Sequence, residues 1–240
     1  MGRILLATSN PHKRDEILAV FQEQATQEPE PVLMPQLITL AELGESIPEP
    51  VENQPVFESN AILKGRYYAR RTKMLCMADD SGLEVDALGG EPGVYSARYS
   101  GHDGPRSEVD PANNKLVLTK LSGVPVERRI ARFICAMVLC TYEIPEDPQR
   151  KRKRYDPPVD VLALVRGTVE GRIILPEEAA DPKNPQLGIG ENGFGYDPLF
   201  MLPDRGVTTA QLSPDEKNAI SHRGNASRQM WHELKRLGLM

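Results

Sequence analysis

What this chain has little of narrows its possibilities first. No apolar run approaches the roughly 20 residues that a helix needs to cross a bilayer, so no membrane partner is expected. The N-terminal stretch Ile4-Leu5-Leu6-Ala7 is short and lacks a cleavage pattern, and it reads as a strand, not a signal segment. Positive charge is in deficit: 29 Lys and Arg against 34 Asp and Glu leave a net charge of -5. A general nucleic-acid binder carries the opposite balance, because phosphate contacts dominate its affinity. A free nucleotide is not excluded, since it needs only a local basic pocket. Cys76, Cys135 and Cys140 are odd in number and show no C-x-x-C spacing. They read as small buried hydrophobes in a reducing, cytoplasmic setting. Aromatics make up 5% of the residues, so each aromatic in a polar loop needs a reason. There is no Walker A sequence and no internal repeat.

What is present is ordinary globular material. The 240 residues are 40% hydrophobic and 26% charged, enough for one large α/β domain or two small lobes. Residues 3–7 read as a buried strand. Asn10 then suits an N-cap and Pro11 the first position of a helix running to about Gln24. A second helix is expected over Phe57–Thr72, and a strand over 74–78 that stops at Asp79-Asp80-Ser81-Gly82, with residues 84–88 as a further strand. Asp110-Pro111 opens a third helix to about Leu121. Strands at 130–142 and 160–169 are expected to pair, with the Pro-rich, charged segment 143–158 as a surface hairpin insertion. Residues 176–193 read as a long loop. Ser213-Pro214-Asp215-Glu216 is a capping box that opens a short helix, broken near 221–224, before a last helix over about 225–237. Strands alternate with helices early and dominate the middle, which points to a mixed α/β sheet in two lobes with a cleft.

Four segments could carry chemistry. In Thr8-Ser9-Asn10-Pro11-His12-Lys13 a strand gives way to a helix whose first turn bears a lysine. Unpaired N–H groups, the helix dipole and a full positive charge then meet at one spot, which suits a triphosphate tail. An ordinary capped helix with a solvated lysine fits the same residues. Asp79 and Asp80 put adjacent carboxylates at a strand end, where they could hold Mg²⁺ or take a proton from water. A simple turn fits that tetrapeptide too. Glu49, Glu52 and Glu58 are further carboxylates that could complete a metal shell. In Gly193-Phe194-Gly195-Tyr196-Asp197-Pro198, glycines around two aromatics let the backbone approach a flat ligand. Phe194 could stack a base there and Asp197 accept from a base N–H. Lys217, His222 and Arg223 form a last polar cluster suited to carbonyl or phosphate oxygens. Two features are decoys. Gly188-Ile189-Gly190-Glu191-Asn192-Gly193 matches G-x-G-x-x-G, but it lacks the strand before and helix after that a dinucleotide site requires. The basic run at 150–154 reads as a solvated loop, having no interleaved aromatics.

Taken in order, these segments resemble the inosine triphosphate pyrophosphatase family, also called dITP/XTP pyrophosphatases. The resemblance rests on five stretches: residues 6–13; Phe57-Glu58-Ser59-Asn60-Ala61-Ile62-Leu63-Lys64; residues 78–90 with Pro92-Gly93-Val94-Tyr95-Ser96-Ala97-Arg98-Tyr99; residues 193–200; and residues 216–224. It implies one nucleoside triphosphate pyrophosphatase domain over 1–240, elongated and two-lobed with a central cleft, acting as a Mg²⁺-dependent homodimer. It implies hydrolysis of deaminated purine nucleoside triphosphates between the α- and β-phosphates. Thr8, Ser9, Asn10 and Lys13 would hold the phosphates. Asp80 would be general base and metal ligand, with Asp79 beside it and Glu52 as a second ligand. Ser81 would contact substrate, Phe194, Gly195, Tyr196 and Asp197 would hold base and sugar, and Lys217, His222 and Arg223 would complete the pocket. The chain departs from the family at Ser59, where Glu is usual, and in its Pro-rich approach to Glu52.

Overall fold

The structure, a computed structural model, describes residues 2–8, 10–44, 47–142 and 160–240. Ser9 and the hairpin expected at 143–158, with its basic run, lie outside the described residues. In chain order the elements are β1 (Arg3–Leu6), α1 (Pro11–Gln27), β2 (Gln36–Thr39), α2 (Phe57–Thr72), β3 (Leu75–Val85), α3 (Arg106–Lys120), β4 (Ile130–Thr141), β5 (Asp160–Ile173), β6 (Phe200–Leu202), β7 (Val207–Thr208), α4 (Pro214–Ile220) and α5 (His222–Arg236). The strands form one sheet in the order β2-β1-β3-β4-β5-β6-β7. Strand β1 runs parallel to β2 and β3, whereas β6 is antiparallel to β5 and β7, so the sheet is mixed and the class α/β as expected. Among the described residues no helix is long and apolar enough to cross a membrane.

The chain divides into two compact units. The first comprises Met1–Asp80, Ala136–Arg166 and Ala226–Met240; the second comprises Ser81–Cys135 and Gly167–Asn225. In the first unit β1 is central, with β2 reached through α1 on one side and β3 through α2 on the other. Right-handed crossovers in opposite directions put α1 and α2 on opposite faces of the sheet. The core takes Ile4, Leu5 and Leu6 from β1 and Ile17, Val20 and Phe21 from α1. Trp231 of α5 meets Phe21 edge-on at 5.5 Å, and its indole N–H donates to Glu28. Cys76 and Cys140 of this unit are buried and pack as small hydrophobes, as does Cys135 of the second.

The second unit closes its own core with Leu83, Val117, Leu121, Phe133, Ile173, Tyr196, Leu199 and Phe200. Arg129 is almost fully buried in this unit. Its guanidinium donates to the carbonyls of Val124 at 3.0 Å, Ile174 at 2.7 Å and Leu121 at 2.9 Å. Leu121 directly follows α3, so the cation sits at the helix end, where the dipole favours positive charge.

Several boundaries differ from the sequence-based expectation. The strand expected to stop at Asp79 continues to Val85, because the polar tetrapeptide is flanked by Ala78 and Leu83 and its carboxylates find partners. Residues 86–88 form a 3₁₀ turn instead of a strand. Helix α3 starts at Arg106, behind Pro105, and carries Pro111 in its second turn, where the lost N–H removes one bond without stopping the helix. Helix α1 runs on to Gln27, β5 to Ile173, and only Ser221 separates α4 from α5. The long loop at 176–193 contains two 3₁₀ turns, at Pro176–Glu178 and Pro185–Leu187.

Arg129→Ala should destabilise the protein by about 2–4 kcal/mol, since three carbonyls, two of them in buried contacts, lose a charged donor. Lysine, a point charge without the planar fork, should not restore the loss. Urea unfolding checks this, and a variant within about 0.5 kcal/mol of wild type would show that the carbonyls find other donors.

Candidate functional site

In the first unit, β1 is the strand from which the chain turns first to one side and then to the other. Ligand sites of α/β sheets form at such a switch, beyond the strands' carboxyl ends. The register pairs Leu6 with Met77, and the Ala7 N–H donates to the Met77 carbonyl. Thr8 and Asp79 therefore lie just past the paired stretch. Thr8 Oγ1 accepts from the Asn10 N–H at 3.1 Å, and Asn10 Oδ1 accepts from the His12 N–H at 3.0 Å, so Asn10 caps α1 as its sequence suggests. The Asn10 amide nitrogen is buried without a hydrogen-bond partner among the described residues. One turn on, Lys13 Nζ pairs with Asp79 Oδ2 at 2.9 Å.

Strand alternation sends Asp79 and Asp80 to opposite faces, and each meets a different helix. Asp79, 1% exposed, meets Lys13 of α1. Asp80, 7% exposed, accepts from Asn60 Nδ2 of α2 at 3.0 Å. The same Asn60 amide accepts from the Gln54 N–H, tying the approach to α2 against the carboxylate. Lys64, one turn after Asn60, pairs with Glu52 at 2.7 Å and donates to the Asp79 carbonyl at 3.1 Å. Burial pushes the Asp80 carboxyl above its ordinary value; Lys64 and Lys13 offset part of the rise and Glu52 adds to it. Burial pulls the Lys64 ammonium down, but Asp79, Glu52 and Asp80 outweigh burial and leave it above the usual lysine value.

The second unit gathers the remaining predicted residues. Phe194 has three cations near its ring: Lys217 at 5.0 Å, Arg106 at 5.7 Å and Arg223 at 5.9 Å from the centroid. Arg223 is buried and donates to Ser81 Oγ at 2.8 Å. His222 opens α5 and stacks on Phe133, with centroids 5.0 Å apart and planes 19° apart. Two of the expected residues already have partners within the protein. The Tyr196 side chain, expected against a base or sugar, turns into the core, where its hydroxyl donates to the Ser96 carbonyl. Asp197, expected to read a base, is buried and already accepts from three donors: Lys217 Nζ at 2.7 Å, the Phe194 N–H at 2.8 Å and Thr209 Oγ1 at 2.8 Å. It fixes Lys217 and Phe194 in place. Gly193 is part of this arrangement: a Cβ there would stand 2.2 Å from Asp197 Oδ2, on a backbone with φ of +80°. The G-x-G-x-x-G run is therefore packed structure, and Gly190 likewise faces the Ala210 carbonyl with no room for a Cβ.

Asn60, Lys64 and Arg106 were given no role in the sequence reading. Asn60 and Lys64 stand at i and i+4 of one helix, a signal of a shared face, but nothing local says that the face meets Asp80. The carboxylates of Glu52, Asp79 and Asp80 are hard oxygen donors of the kind Mg²⁺ takes. Among the described residues no three His, Cys, Asp or Glu side chains form a ready metal cage. Glu58, a further candidate, pairs with Arg166 instead.

A sequence model of the Ham1 family matches residues 4–233. The chain belongs to the Ham1 family. It is 39% identical over 237 residues to a Geobacillus kaustophilus protein named dITP/XTP pyrophosphatase, covering 98% of this chain and 96% of that one. A protein of the same name from Nitratidesulfovibrio vulgaris is 46% identical over 181 residues, 75% of this chain and 74% of its own length. The solved structure of a HAM1 protein from Coxiella burnetii has a TM-score of 0.73 and 33% identity, covering 98% of this chain and all of that one.

In this Ham1 protein the buried Lys217–Asp197 pair should behave as a unit. Asp197→Ala alone leaves a buried ammonium without its counter-ion and should lose about 3–5 kcal/mol of stability. Adding Lys217→Met removes that orphaned charge and should recover part of the loss. Chemical unfolding of both variants checks this; a double variant no more stable than the single would show that charge burial is not the cause.

Proposed function

We propose that this chain is a Mg²⁺-dependent nucleoside triphosphate pyrophosphatase that hydrolyses ITP, dITP and XTP to the monophosphate and pyrophosphate. The observation that carries the reading is the pair of buried carboxylates at the sheet's switch point, ringed by Lys13, Lys64 and Asn60. The names of the relatives support the substrate class. Asp80, its basicity raised by burial, takes the proton as water attacks the α-phosphorus; the bond to the bridging oxygen breaks and pyrophosphate leaves. Lys13, Lys64 and the Asn10 amide supply donors for phosphate oxygens. Asp79, Asp80 and Glu52 fit Mg²⁺ by donor type, an ion that takes one or two carboxylates plus substrate phosphates. Bound there, the ion would neutralise phosphate charge. Homodimeric assembly and a cytoplasmic location complete the proposal and rest on the family resemblance.

The test is product analysis across ITP, XTP, dITP, GTP and ATP with and without Mg²⁺. Pyrophosphate should appear in one step, and chelation should abolish turnover. Asp80→Asn should fold normally and lose at least roughly 10²–10⁴-fold in rate. Accumulating IDP with orthophosphate, or near-normal turnover by Asp80→Asn, would sink the assignment.

Base selection follows from the donors of the second unit. Hypoxanthine and xanthine present an acceptor at position 6, whereas adenine presents an amino donor. Phe194 stacks any purine alike, giving affinity without choice. Arg223 has donors only, so adenine opposite it would leave a buried charged donor unmatched, at about 1–3 kcal/mol or more. Arg223→Ala should therefore narrow the ratio of ITP to ATP turnover (measured as kcat/KM) by roughly 10-fold or more. If the variant rejects ATP as strongly as wild type does, the readout lies elsewhere.

A further inference from the structure

We propose that Asp110 and Asn114 of α3 are positioning residues that hold the Phe194 loop as a rigid platform for the base. The role rests on the reading above, in which Phe194 stacks the purine. The geometry of the clamp stands independently of it. Arg106, Asp110 and Asn114 follow one another at i, i+4 and i+8, and so share one face of α3. Asp110 Oδ2 accepts from the Gly195 N–H at 2.9 Å, and Asn114 Nδ2 donates to the Gly195 carbonyl at 3.2 Å. Both peptide groups flanking Gly195 are thus held from the same helix.

The need for such a clamp follows from the loop itself. Gly195 has φ of +63° and a Cβ there would meet nothing within 4 Å, so the residue that follows the aromatic ring has no side chain of its own to anchor it. Left to itself, a glycine in open space samples many conformations. The Asp197 bond to the Phe194 N–H fixes one side of the ring, and the α3 clamp fixes the other. Asn114, buried, also donates to the Gln186 carbonyl, and its neighbour Asn113 donates to the Ser96 carbonyl that Tyr196 also meets. Arg106 pairs with Asp110 at 3.6 Å and reaches over the Phe194 ring, so the same face supplies a cation to the platform.

The experiment combines a double-mutant cycle with amide hydrogen exchange. Asp110→Ala and Asn114→Ala should each raise KM for ITP roughly tenfold while kcat changes by less than about threefold, because ring placement and not the chemistry is disturbed. Competitive inhibition by inorganic triphosphate, which has no base, should be unchanged. Asp110→Asn, which keeps an acceptor, should restore most of the KM. In a Phe194→Ala background, Asp110→Ala should add less than about twofold, since its effect acts through the ring. Exchange of the Gly195 amide should accelerate in Asp110→Ala and in Asn114→Ala. Full multiplication of the two KM effects, or an equal shift in triphosphate inhibition, would overturn the proposal. So would a fall in Tm with KM unchanged. Failure of the wild type to hydrolyse any purine triphosphate would overturn the functional reading instead. Gly195 exchange, which needs no substrate, would still decide whether α3 pins the loop.

Discussion

Two consecutive carboxylates inside a buried strand set the terms for the whole first unit. Asp79 and Asp80 together would carry two negative charges out of water, a cost far above what packing around them could offset unless each is partnered. Because side chains alternate along a strand, the two faces call for separate hydrogen-bond partners, although the Lys64 charge acts on both carboxylates. Helix α1 must therefore bring Lys13 to one face, and α2 must bring Asn60 to the other. Lys64 then faces the Asp79 carbonyl and Glu52, drawing the segment before α2 into the same group. The register of β1 on β3, the cap that starts α1 and the face that α2 presents are all consequences of where those charges lie.

The second unit solves a similar problem with one acid. Asp197 holds Lys217, Thr209 and the backbone of Phe194 at once, so a single buried carboxylate fixes a cation and an aromatic ring together. That close approach tolerates only glycine at 193. The ring ends up within 6 Å of three cations, a density of positive charge that an apolar core would not tolerate but an electron-rich π face attracts. Arg129 is the contrasting case. It is buried and held by three carbonyls, with no acid bonded to it among the described residues, and it serves the fold and not the ring.

How legible all this was depended on whether the deciding interaction was local. The bounds of α2, the capping box at Ser213 and the cap at Asn10 depend on residues a few positions apart, and the structure carries them as the sequence suggested. The end of β3 was misread because Asp-Asp-Ser-Gly has good turn chemistry and its real partners lie 66 and 20 residues away. The inward turn of Tyr196 and Asp197 was hidden for the same reason: their partners, Ser96 and Lys217, are remote in sequence. Lys64 and Arg106 look like ordinary solvated helix residues until the fold supplies a neighbour. The family resemblance carried the functional reading further than any single motif could, because five weak signals in fixed order are jointly improbable by chance.

The pairing of Lys13 with Asp79 and of Lys64 with Glu52 also bears on what the site can bind. Each pair is close to neutral, so a polyphosphate arriving alone would compete with carboxylates for the same ammonium groups and gain little. Were the lysines to turn to phosphate oxygens, Asp79 would be left buried and negative and Glu52 half-buried and negative, next to a ligand of the same sign. That state is tolerable only if positive charge arrives with the ligand. On the proposed reading, a phosphate chain that carries its own divalent cation would meet both requirements together, with the lysines serving the phosphates and the carboxylates serving the cation. Under the proposed function, these ion pairs give the divalent cation its part through charge balance, before any question of coordination geometry arises.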